Sequence, residues 1–373
     1  MVKILHLTRH LEIGGIPRHV VDLSIRLRAQ GHVVSVASTG GAQVASLEAG
    51  GVKHLQIPLS SKFEFGPNLW ISWLGVLPVL RTQSFDIVHA HTRIAQVLAG
   101  LIEKFHGIPA VSTCHGFFQS NLGRRLWPCW GQKVIAVSPA VQEHLVGTHR
   151  VSPESIVCIP NGINAGKYQI PSDDPHVSAL KKELGLPSST KVIGTTARLS
   201  PVKGLQYLLQ AFSLCLKTRP NLTCLIVGDG PTRKELEDQA QKLQIRGRVI
   251  FTGAVEDVAP YLALMDVFVL PSLMEGLGLS ILEAFAARKP VVASRVGGIV
   301  NVIKDKENGL LVEPRSPAEI ARAIEQLLSQ EKLCERLAQD ALKTVESRFS
   351  LETMTRQVEQ VYRSVKTFDS RHR

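Results

Sequence analysis

A chain of 373 residues is too long for one hydrophobic core, so we expect two domains. Its composition, 44% hydrophobic and 20% charged, is that of an ordinary folded protein and excludes a chain that is disordered throughout. The net charge of +11 favours an anionic partner, but the excess is spread out, with 14 Lys and Arg against 8 Asp and Glu in residues 1–165. Diffuse charge favours a phosphorylated ligand or an anionic membrane, and we expect no nucleic acid partner.

Cysteine spacing and hydropathy predict a cytoplasmic protein. The six cysteines include no C-x-x-C pair, which is typical of reduced thiols. The first residues, MVKILHLTRH, carry charge too early for a signal peptide. The longest nearly apolar run, residues 69–80, is shorter than the ~20 residues of a membrane-spanning helix. We therefore expect any membrane contact to be peripheral.

Short apolar segments rich in β-branched residues alternate with amphipathic helical segments along the chain. In the first half the segments predicted as strands are VKILHLT, VVSVAS, KHLQIP, DIVHAH, PAVSTC, KVIAVS and SIVCIP. After residue 188 the alternation resumes with KVIGTTA, LTCLIVG, RVIFTG, DVFVLP, PVVASR and NGLLVEP. Apolar strands that alternate with helices are typical of parallel sheets covered on both faces, so we predict two doubly wound, Rossmann-like α/β domains.

The composition also indicates where the domains divide. Residues 161–178 are rich in Gly, Pro, Asn, Asp and Ser, which is typical of a linker. We predict a first domain over residues 1–165, a second over 166–348, and a C-terminal helix in 349–373 that packs back toward the first domain. Ligands bind such sheets at the carboxyl ends of the strands, so we expect the site in a cleft between the domains.

Gly14 and Gly15 follow the first predicted strand and precede the first helix. Glycines there let the backbone approach a ligand, and the amides at a helix N-terminus favour phosphate. The alternative is a tight turn that needs a positive φ. The pair is not a G-x-G-x-x-G fingerprint, so we do not expect a nicotinamide cofactor.

Histidines close two of the predicted strands. His89 and His91 end the fourth strand and share one face, but no third ligand lies at a suitable spacing, so we predict no metal site. His115, followed by Gly116, ends the fifth strand, where a histidine can donate a hydrogen bond or transfer a proton. The alternative for His115 is a purely structural role.

Arg198 and Lys203 follow the strand that opens the second half. Lys203 lies at a predicted helix start, where a cation opposes the helix dipole. A bound anion would remove that conflict, and two cations match the two charged groups of a diphosphate. The alternative is a solvated surface pair.

Glu275 and Glu283 bracket a glycine-containing loop in the segment PSLMEGLGLSILEAFA. A carboxylate accepts hydrogen bonds from two hydroxyls, so each acid can hold a sugar diol. Between the acids, the residues that offer backbone amides to an anion are Gly276, Leu277, Gly278, Leu279 and Ser280. In the alternative interpretation Glu283 is an acid favoured by the helix dipole and Glu275 is a surface charge.

Seven motifs occur in order: the GG loop, the strand-end HG, IPNG, R-x4-K, VGDGP, E-x7-E and NGLLV. With them the chain resembles the retaining glycosyltransferases of family 4 over nearly its whole length. The resemblance implies the GT-B fold, with an acceptor-side first domain and a nucleotide-sugar second domain. There is one departure, because many relatives have GG-x-P-E where this chain has GGIVN, residues 297–301. The changed residue, Asn301, is not one of the residues expected to bind the donor, so we expect activity to be retained.

The resemblance also implies roles for the matching residues. Glu275 and His115 would be catalytic, both contacting the donor sugar, and Glu283 would hold the nucleotide ribose. Arg198 and Lys203 would neutralise the diphosphate. Backbone contacts to the phosphates would come from Gly14, Gly15 and the residues Gly276, Leu277, Gly278, Leu279 and Ser280.

The reaction implied by the resemblance is transfer of a sugar from a nucleoside diphosphate, with UDP-sugars favoured and GDP-mannose second. The developing charge on the leaving group needs cations and helix N-termini, and with Arg198 and Lys203 there we expect no metal and no other cofactor. Retaining glycosidases use a carboxylate nucleophile, for which no residue here is an obvious candidate. We therefore adopt the same-face substitution commonly proposed for the family, in which the leaving phosphate takes the proton of the acceptor.

All four tryptophans lie in the first half, two of them in residues 117–133, a segment with basic residues and no acid. Such mixtures suit a lipid interface or a saccharide surface. The acceptor-side candidates are His91, Arg124, Arg125 and Trp127. For Trp70 and Trp73 the alternative is a buried helix face. We expect a saccharide or lipid-linked acceptor in cell-envelope polysaccharide or lipopolysaccharide synthesis, and peripheral contact with an anionic membrane at the cytoplasmic face of the inner membrane.

Two other functions fit the same residues. A GT-B nucleotide-sugar epimerase would release a different sugar without any acceptor. A non-catalytic protein would bind a nucleotide sugar or, through its +11 charge, nucleic acid, and salt-sensitive DNA binding without affinity for nucleotide sugars would indicate the latter. The full set of cations and acids favours an enzyme.

Overall fold

The computed structural model describes residues 1–59, 66–171, 173–187 and 189–369, with side chains through residue 365. The chain forms two compact units, Met1–Gly162 with Leu351–Arg373, and Ile163–Ser350. The end of the predicted C-terminal segment, residues 370–373, lies outside the described residues.

The first unit is built on a parallel sheet of seven strands. These are β1 (Lys3–Leu7), β2 (Val33–Ser38), β3 (Lys53–Gln56), β4 (Ile87–Ala90), β5 (Ala110–Cys114), β6 (Lys133–Ala136) and β7 (Ile156–Cys158). The strand order across the sheet is β3-β2-β1-β4-β5-β6-β7. Its helices are α1 (Gly15–Ala29), α2 (Val44–Ala49), α3 (Pro67–Thr82), α4 (Arg93–His106), α5 (Leu122–Leu126) and α6 (Pro139–His149).

The second unit repeats this design with six parallel strands. These are β8 (Lys191–Thr196), β9 (Leu222–Val227), β10 (Val249–Gly253), β11 (Val267–Leu270), β12 (Val291–Ser294) and β13 (Leu310–Val312). Their order across the sheet is β10-β9-β8-β11-β12-β13. The helices are α7 (Pro175–Glu183), α8 (Leu205–Cys215), α9 (Arg233–Lys242), α10 (Ala259–Leu264), α11 (Leu279–Ala286), α12 (Ile299–Val302), α13 (Pro317–Ser329) and α14 (Glu331–Arg348).

The last helix, α15 (Leu351–Asp369), belongs to the first unit, although it follows the second along the chain. Met354, Val358 and Tyr362 are buried in the core that α1 and the first strands form. Burying an apolar side chain of this size stabilises a fold by about 1.5–3 kcal/mol, so the apolar face of α15 holds it against this core.

In each sheet the strand order reverses between two neighbours, β1 and β4 in the first unit and β8 and β11 in the second. The loops that leave such a pair diverge over opposite faces of the sheet, and the crevice between them is where ligands of this architecture bind. In the second unit these loops carry residues 197–204 and 271–278. In the first unit the loop after β1 leads to α1 and the loop after β4 begins at His91.

Each segment predicted as a strand contains one, and the two predicted parallel α/β sheets are confirmed. The prediction of a plain linker over residues 161–178 is wrong in part. It holds a 3₁₀ turn, Ala165–Tyr168, and the first residues of α7, and Tyr168 is only 3% exposed. Within the described ranges, no helix combines the length and the apolar content that crossing a membrane requires.

Candidate functional site

The two loops at the switch point of the second sheet bring Lys203 and Glu275 together. Lys203 ends a 3₁₀ turn just before α8, and its Nζ donates to Oε2 of Glu275 at 2.5 Å. The Ser272 hydroxyl donates to the same oxygen at 3.3 Å. Both charged side chains are largely buried, with exposed fractions of 21% for Lys203 and 15% for Glu275. The negative charge of Glu275 therefore offsets the unfavourable position of the Lys203 ammonium at the start of a helix.

Close backbone packing fixes the two loops relative to each other. Gly204 has a φ of +62°, and a Cβ there would overlap the carbonyl oxygen of Pro271. The amide of Leu273 donates to the carbonyl of Val202 at 2.7 Å. Only glycine at position 204 allows this approach, because an L side chain would be strained at that φ and would separate the loops.

A third loop, which follows β12, supports the backbone of Glu275. The amide of Gly298 donates to the Glu275 carbonyl at 2.8 Å, and a Cβ at Gly298 would overlap the carbonyl oxygen of Gly276. Asn301, whose side-chain amide stands where the GG-x-P-E pattern has an acid, lies on α12. The second glycine of that pattern, Gly298, thus has a packing role here that does not depend on the acid.

Replacing Gly298 with alanine is expected to displace the Glu275 loop and to lower the free energy of unfolding by about 1–3 kcal/mol, the usual cost of overpacking. The physical reason is the overlap with a backbone oxygen, which cannot move aside as a flexible side chain can. Thermal unfolding followed by circular dichroism measures the change. Gly247→Ala is the matched control, since a Cβ at Gly247 meets nothing within 4 Å. An unchanged melting temperature for Gly298→Ala would contradict the packing role.

The segment between the two acids leads directly into α11. Gly276, Leu277 and Gly278 are buried, and the helix begins at Leu279. The first amides of a helix have no partner within it, so those of Leu279 and Ser280 are available to an anion.

Glu283 lies one turn into α11 and is held by a residue that sequence reasoning missed. The hydroxyl of Tyr168 donates to Oε1 of Glu283 at 2.9 Å. Tyr168 comes from the 3₁₀ turn in the segment predicted as a linker. The signal in the sequence is an aromatic residue within a Gly- and Pro-rich segment, because an aromatic ring there indicates a packing contact that a plain linker does not make.

Arg198 lies on the loop after β8, on the same loop as Lys203. Its side chain is exposed, and within the described part of the chain it has no hydrogen-bond or ion-pair partner. An exposed guanidinium with five donors, on the loop that also carries Lys203, is suited to bind an anion such as phosphate.

In the first unit, Gly14 and Gly15 precede and open α1 and are exposed. Gly14 has a φ of 160°, which is extended backbone that any residue adopts, and the alternative of a turn requiring positive φ is therefore wrong. A Cβ at Gly14 would only touch Pro17, at 3.7 Å, so the local geometry does not require glycine at this position.

Histidines converge at the carboxyl ends of β1, β4 and β5. His6 pairs with His89 in the sheet register, and His91 lies between His6 and His115, with ring nitrogens 2.9 Å and 3.4 Å away. His19 reaches the same place from α1, its ring centroid 4.8 Å from that of His115. Sequence reasoning considered His89, His91 and His115 but missed His6 and His19, because β1 and α1 approach the other three only in the folded sheet.

Burial sets the protonation of this cluster. It lowers the pKa of His6 to about 3, with a contribution from His19, and it lowers that of His19 to about 4. The pKa values of His91 and His115 lie well below 6.5, mainly because of burial and then because of neighbouring histidines. The rings are therefore neutral near pH 7. His115, which is partly exposed, is suited to hydrogen bonding rather than to acting as a charged acid.

The acceptor-side candidates differ in exposure. His91 is fully buried, so it can influence a ligand only through His115 or His6. Arg124 is 6% exposed and stacks on Phe118, with its guanidinium carbon 4.7 Å from the ring centroid. Arg125 and Trp127 are exposed.

An exposed apolar patch lies on the same unit. We define the apolar patch as Trp70, Ile71, Leu74, Phe105, Leu122, Leu126 and Trp127, all more than a third exposed. Trp73 packs against Phe105, with centroids 5.6 Å apart, and the ammonium of Lys104 lies 5.3 Å from the Trp127 ring centroid, so these contacts link α3, α4 and the α5 region. The alternative of a buried face is therefore wrong for Trp70, which is 59% exposed.

Two family models match the chain in succession. Residues 13–167 match the model described as Glycosyltransferase Family 4, and residues 177–344 match the model described as Glycosyl transferases group 1. The first match contains β2 to β7 of the first sheet, and the second contains all six strands of the second sheet. The order of the two models along the chain is that of the two units described above.

Named relatives and a solved structure agree with these matches. The N-acetyl-alpha-D-glucosaminyl L-malate synthase of Bacillus anthracis is 30% identical over 82% of this chain and 81% of its own length. The alpha-monoglucosyldiacylglycerol synthase of Streptococcus pneumoniae is 26% identical over 80% of this chain and 72% of its own. The crystal structure of Anabaena HepE in complex with UDP and glucose has a TM-score of 0.85 and 25% identity, covering 98% of this chain and 100% of that one.

Proposed function

Because this chain belongs to the family 4, group 1 glycosyltransferases, we propose that it transfers a sugar with retention from a nucleoside diphosphate sugar to a saccharide or lipid-linked acceptor. The observation that carries the proposal is the Lys203–Glu275 pair at the switch point of the second sheet. We favour UDP-sugars, since a structure similar to this chain holds UDP and glucose, and place GDP-mannose second.

Donor binding replaces the contact between Lys203 and Glu275 with contacts from each side chain to the donor. Lys203 and Glu275 neutralise each other at 2.5 Å, and a diphosphate, with more charge than one carboxylate, displaces Glu275 from the ammonium. Arg198 on the same loop binds the second phosphate. The released carboxylate then accepts hydrogen bonds from two sugar hydroxyls near the anomeric carbon.

The ribose and the phosphates meet α11. The amides of Leu279 and Ser280 at its start bind phosphate oxygen, and Glu283 accepts from the ribose hydroxyls. Tyr168 orients that carboxylate through its hydrogen bond to Oε1. Tyr168 is thus a positioning residue, which acts on the nucleotide through Glu283.

The chemical step is a same-face substitution. The bond from the anomeric carbon to the diphosphate oxygen breaks, the acceptor hydroxyl oxygen bonds to that carbon from the same side, and the hydroxyl proton passes to the leaving phosphate. Lys203, Arg198 and the α11 amides stabilise the developing negative charge, so no metal is required. Two relatives are named for alpha-linked products, the anomer that retention gives from alpha-linked sugar nucleotides.

The configuration of the product tests this mechanism. The full chain is incubated with UDP-glucose or GDP-mannose and a lipid extract, and the anomeric proton of the product is assigned by NMR. We expect the configuration of the donor, and an inverted product would contradict the same-face mechanism. Release of a different free sugar without any acceptor would instead support the epimerase alternative.

For the acceptor we propose a lipid-linked molecule of the cell envelope, reached where the apolar patch touches an anionic membrane. Its tryptophans and leucines suit the headgroup boundary, and Lys104 and Arg125 add positive charge beside them. The name of the Streptococcus relative, a diacylglycerol glycolipid synthase, supports a lipid acceptor. We further propose that the chain works at the cytoplasmic face of that membrane.

Replacing Trp70, Ile71 and Leu74 with serine is expected to weaken binding to anionic vesicles at least tenfold, since each side chain buries apolar area worth about 1.5–3 kcal/mol. Sedimentation with vesicles of phosphatidylglycerol and phosphatidylcholine measures the change. Leu214→Ser, at a residue 40% exposed on the second unit, is the control and should bind as the wild type does. Equal binding of the triple variant and the wild type would contradict the membrane contact.

A further inference from the structure

The histidine cluster contains more polar atoms than the proposed transfer reaction uses. We propose that His19, His91 and His115 form a binding site for a divalent transition metal with the preferences of zinc. The site lies in the first unit, at the carboxyl ends of β4 and β5 and beside α1. It is not needed for sugar transfer, and the proposal concerns a second ligand of this enzyme.

His19 is the first observation. It is 6% exposed, and neither of its ring nitrogens has a hydrogen-bond partner within the described ranges. A buried polar group without a hydrogen-bond partner destabilises a fold, so the position of this ring needs a physical reason. A metal ion bound through one of its nitrogens removes part of that destabilisation.

The separations within the trio fit a metal. One ligand atom from each of His19, His91 and His115 can be chosen so that all lie within 4.8 Å of one another. His91 Nδ1 and His115 Nε2 are 3.4 Å apart. Tetrahedral zinc with Zn–N bonds of about 2.0–2.1 Å places two ligand nitrogens about 3.3 Å apart, so this pair already has the required spacing.

The other nitrogen of His91 is also arranged as in metal sites. Its Nε2 lies 2.9 Å from Nδ1 of His6, which orients the ring and leaves Nδ1 of His91 facing His115. A ligating histidine usually hydrogen-bonds through its second nitrogen in this way, and that bond fixes its tautomer. His6 is therefore a positioning residue of the proposed site.

A second trio, His6, His89 and His91, has similar spacing but suits a metal less well. Both ring nitrogens of His89 already have partners, the Tyr362 hydroxyl at 2.6 Å and the Thr113 hydroxyl at 2.7 Å. Metal binding there would break a satisfied and fully buried hydrogen bond of His89, whereas at the His19 trio it gives a partner to a ring that has none on either nitrogen within the described ranges.

Protonation and access also favour the His19 trio. Burial keeps the pKa values of its three rings below the ordinary value, so the unprotonated nitrogens that a metal needs are present at neutral pH. His115 is partly exposed, which gives an ion a route from solvent. Three histidines with one position left for water is a ligand set that zinc uses in proteins.

Metal binding has a consequence that rests on the proposed function. Nε2 of His115 faces His91 and would be taken by the metal, while the family resemblance implies that His115 contacts the donor sugar in the proposed reaction. Zinc should therefore compete with the donor, and the enzyme should be fully active in EDTA. The proposed site therefore departs from the sequence prediction of no metal site at His89 and His91, while the expectation that sugar transfer needs no metal is unaffected.

Titration of the untagged, chelator-treated full chain with Zn²⁺ against a chromophoric chelator tests the site. We expect one Zn²⁺ per chain, at least hundredfold weaker binding in His19→Phe, and unchanged binding in His176→Ala, whose side chain is 91% exposed outside the cluster. Co²⁺ should give the intense visible absorption of a tetrahedral site. No bound Zn²⁺, or equal affinity in folded His19→Phe, would overturn the proposal.

Two further measurements keep the test decisive. If His19→Phe does not fold by circular dichroism, His115→Asn replaces it, and unchanged Zn²⁺ affinity in that variant also overturns the site. The donor affinity of the wild type is then measured with and without Zn²⁺. Zinc that binds as predicted but leaves donor affinity unchanged supports the metal site and contradicts the sugar contact of His115, so the two proposals fail separately.

Discussion

Replacing Glu275 with glutamine is expected to lower kcat at least a hundredfold while changing the Kd of the nucleoside diphosphate by less than about threefold. Loss of one group that stabilises the transition state typically costs about 10²–10³ in kcat. An amide has one acceptor oxygen where the carboxylate has two, so it cannot hold two sugar hydroxyls at once. Diphosphate affinity survives because Lys203, freed from its bond to Glu275, still meets the phosphate.

Steady-state kinetics with the preferred donor and calorimetric titration with its nucleoside diphosphate separate the two effects. Glu256→Gln is the matched control, because Glu256 is an exposed acid on the same unit, and it should behave as the wild type. Diphosphate affinity that falls in proportion to kcat would contradict the role given to Glu275, and so would an unchanged kcat.

Replacing Arg198 with alanine is expected to weaken nucleoside diphosphate binding about 10- to 100-fold, since a hydrogen bond to a charged group contributes about 1.5–3 kcal/mol. Arg198 is exposed and has no protein partner within the described part of the chain, so its removal leaves no buried group without a hydrogen-bond partner. The change in affinity should therefore measure a contact with the ligand and not a loss of folding.

Calorimetric titration of the variant with UDP and GDP gives the affinity, and its melting temperature should match that of the wild type. Arg248→Ala removes another exposed arginine of the same unit, which separates a specific contact from a change in net charge. If both arginine variants lose the same affinity, general electrostatic attraction explains the binding and the specific role of Arg198 is wrong.

The sheets and the location of the proposed donor site follow from the sequence for a simple reason. Strands buried on both faces are continuous apolar runs, and such runs mark β8 and β11 without any knowledge of the rest of the chain. Ligands of this architecture bind where the strand order reverses. That rule predicts that the loops with Lys203 and Glu275 lie close together, although the two residues are 72 positions apart.

Contacts that depend on side-chain packing did not follow from the sequence. Tyr168 lies in a segment whose composition is that of a linker, and only the packed unit shows its hydroxyl on Glu283. His19 sits on an amphipathic helix, where a histidine at a core position reads as an ordinary buried residue. Its neighbours come from β4 and β5, so no spacing along the chain could reveal the cluster.

The exposure of α3 shows a second feature that the hydrophobic pattern of the sequence does not predict. Its sequence is apolar on nearly all sides, which fits a buried helix or a membrane contact equally well. The fold decides between them for Trp70, Ile71 and Leu74, since they face outward while Val76 is buried. Periodicity cannot distinguish the two cases when both faces of a helix are apolar.

Equilibrium binding of nucleotide sugars is the most direct test of the proposed donor site. The full chain, kept in EDTA, is titrated by calorimetry with UDP, GDP, UDP-glucose and GDP-mannose. We expect one nucleotide class to bind at one site per chain with a Kd below about 1 mM, the usual range for enzyme substrates. Affinity for none of the four, or affinity that appears only when a metal is added, would contradict the assignment of the diphosphate to Arg198, Lys203 and the start of α11.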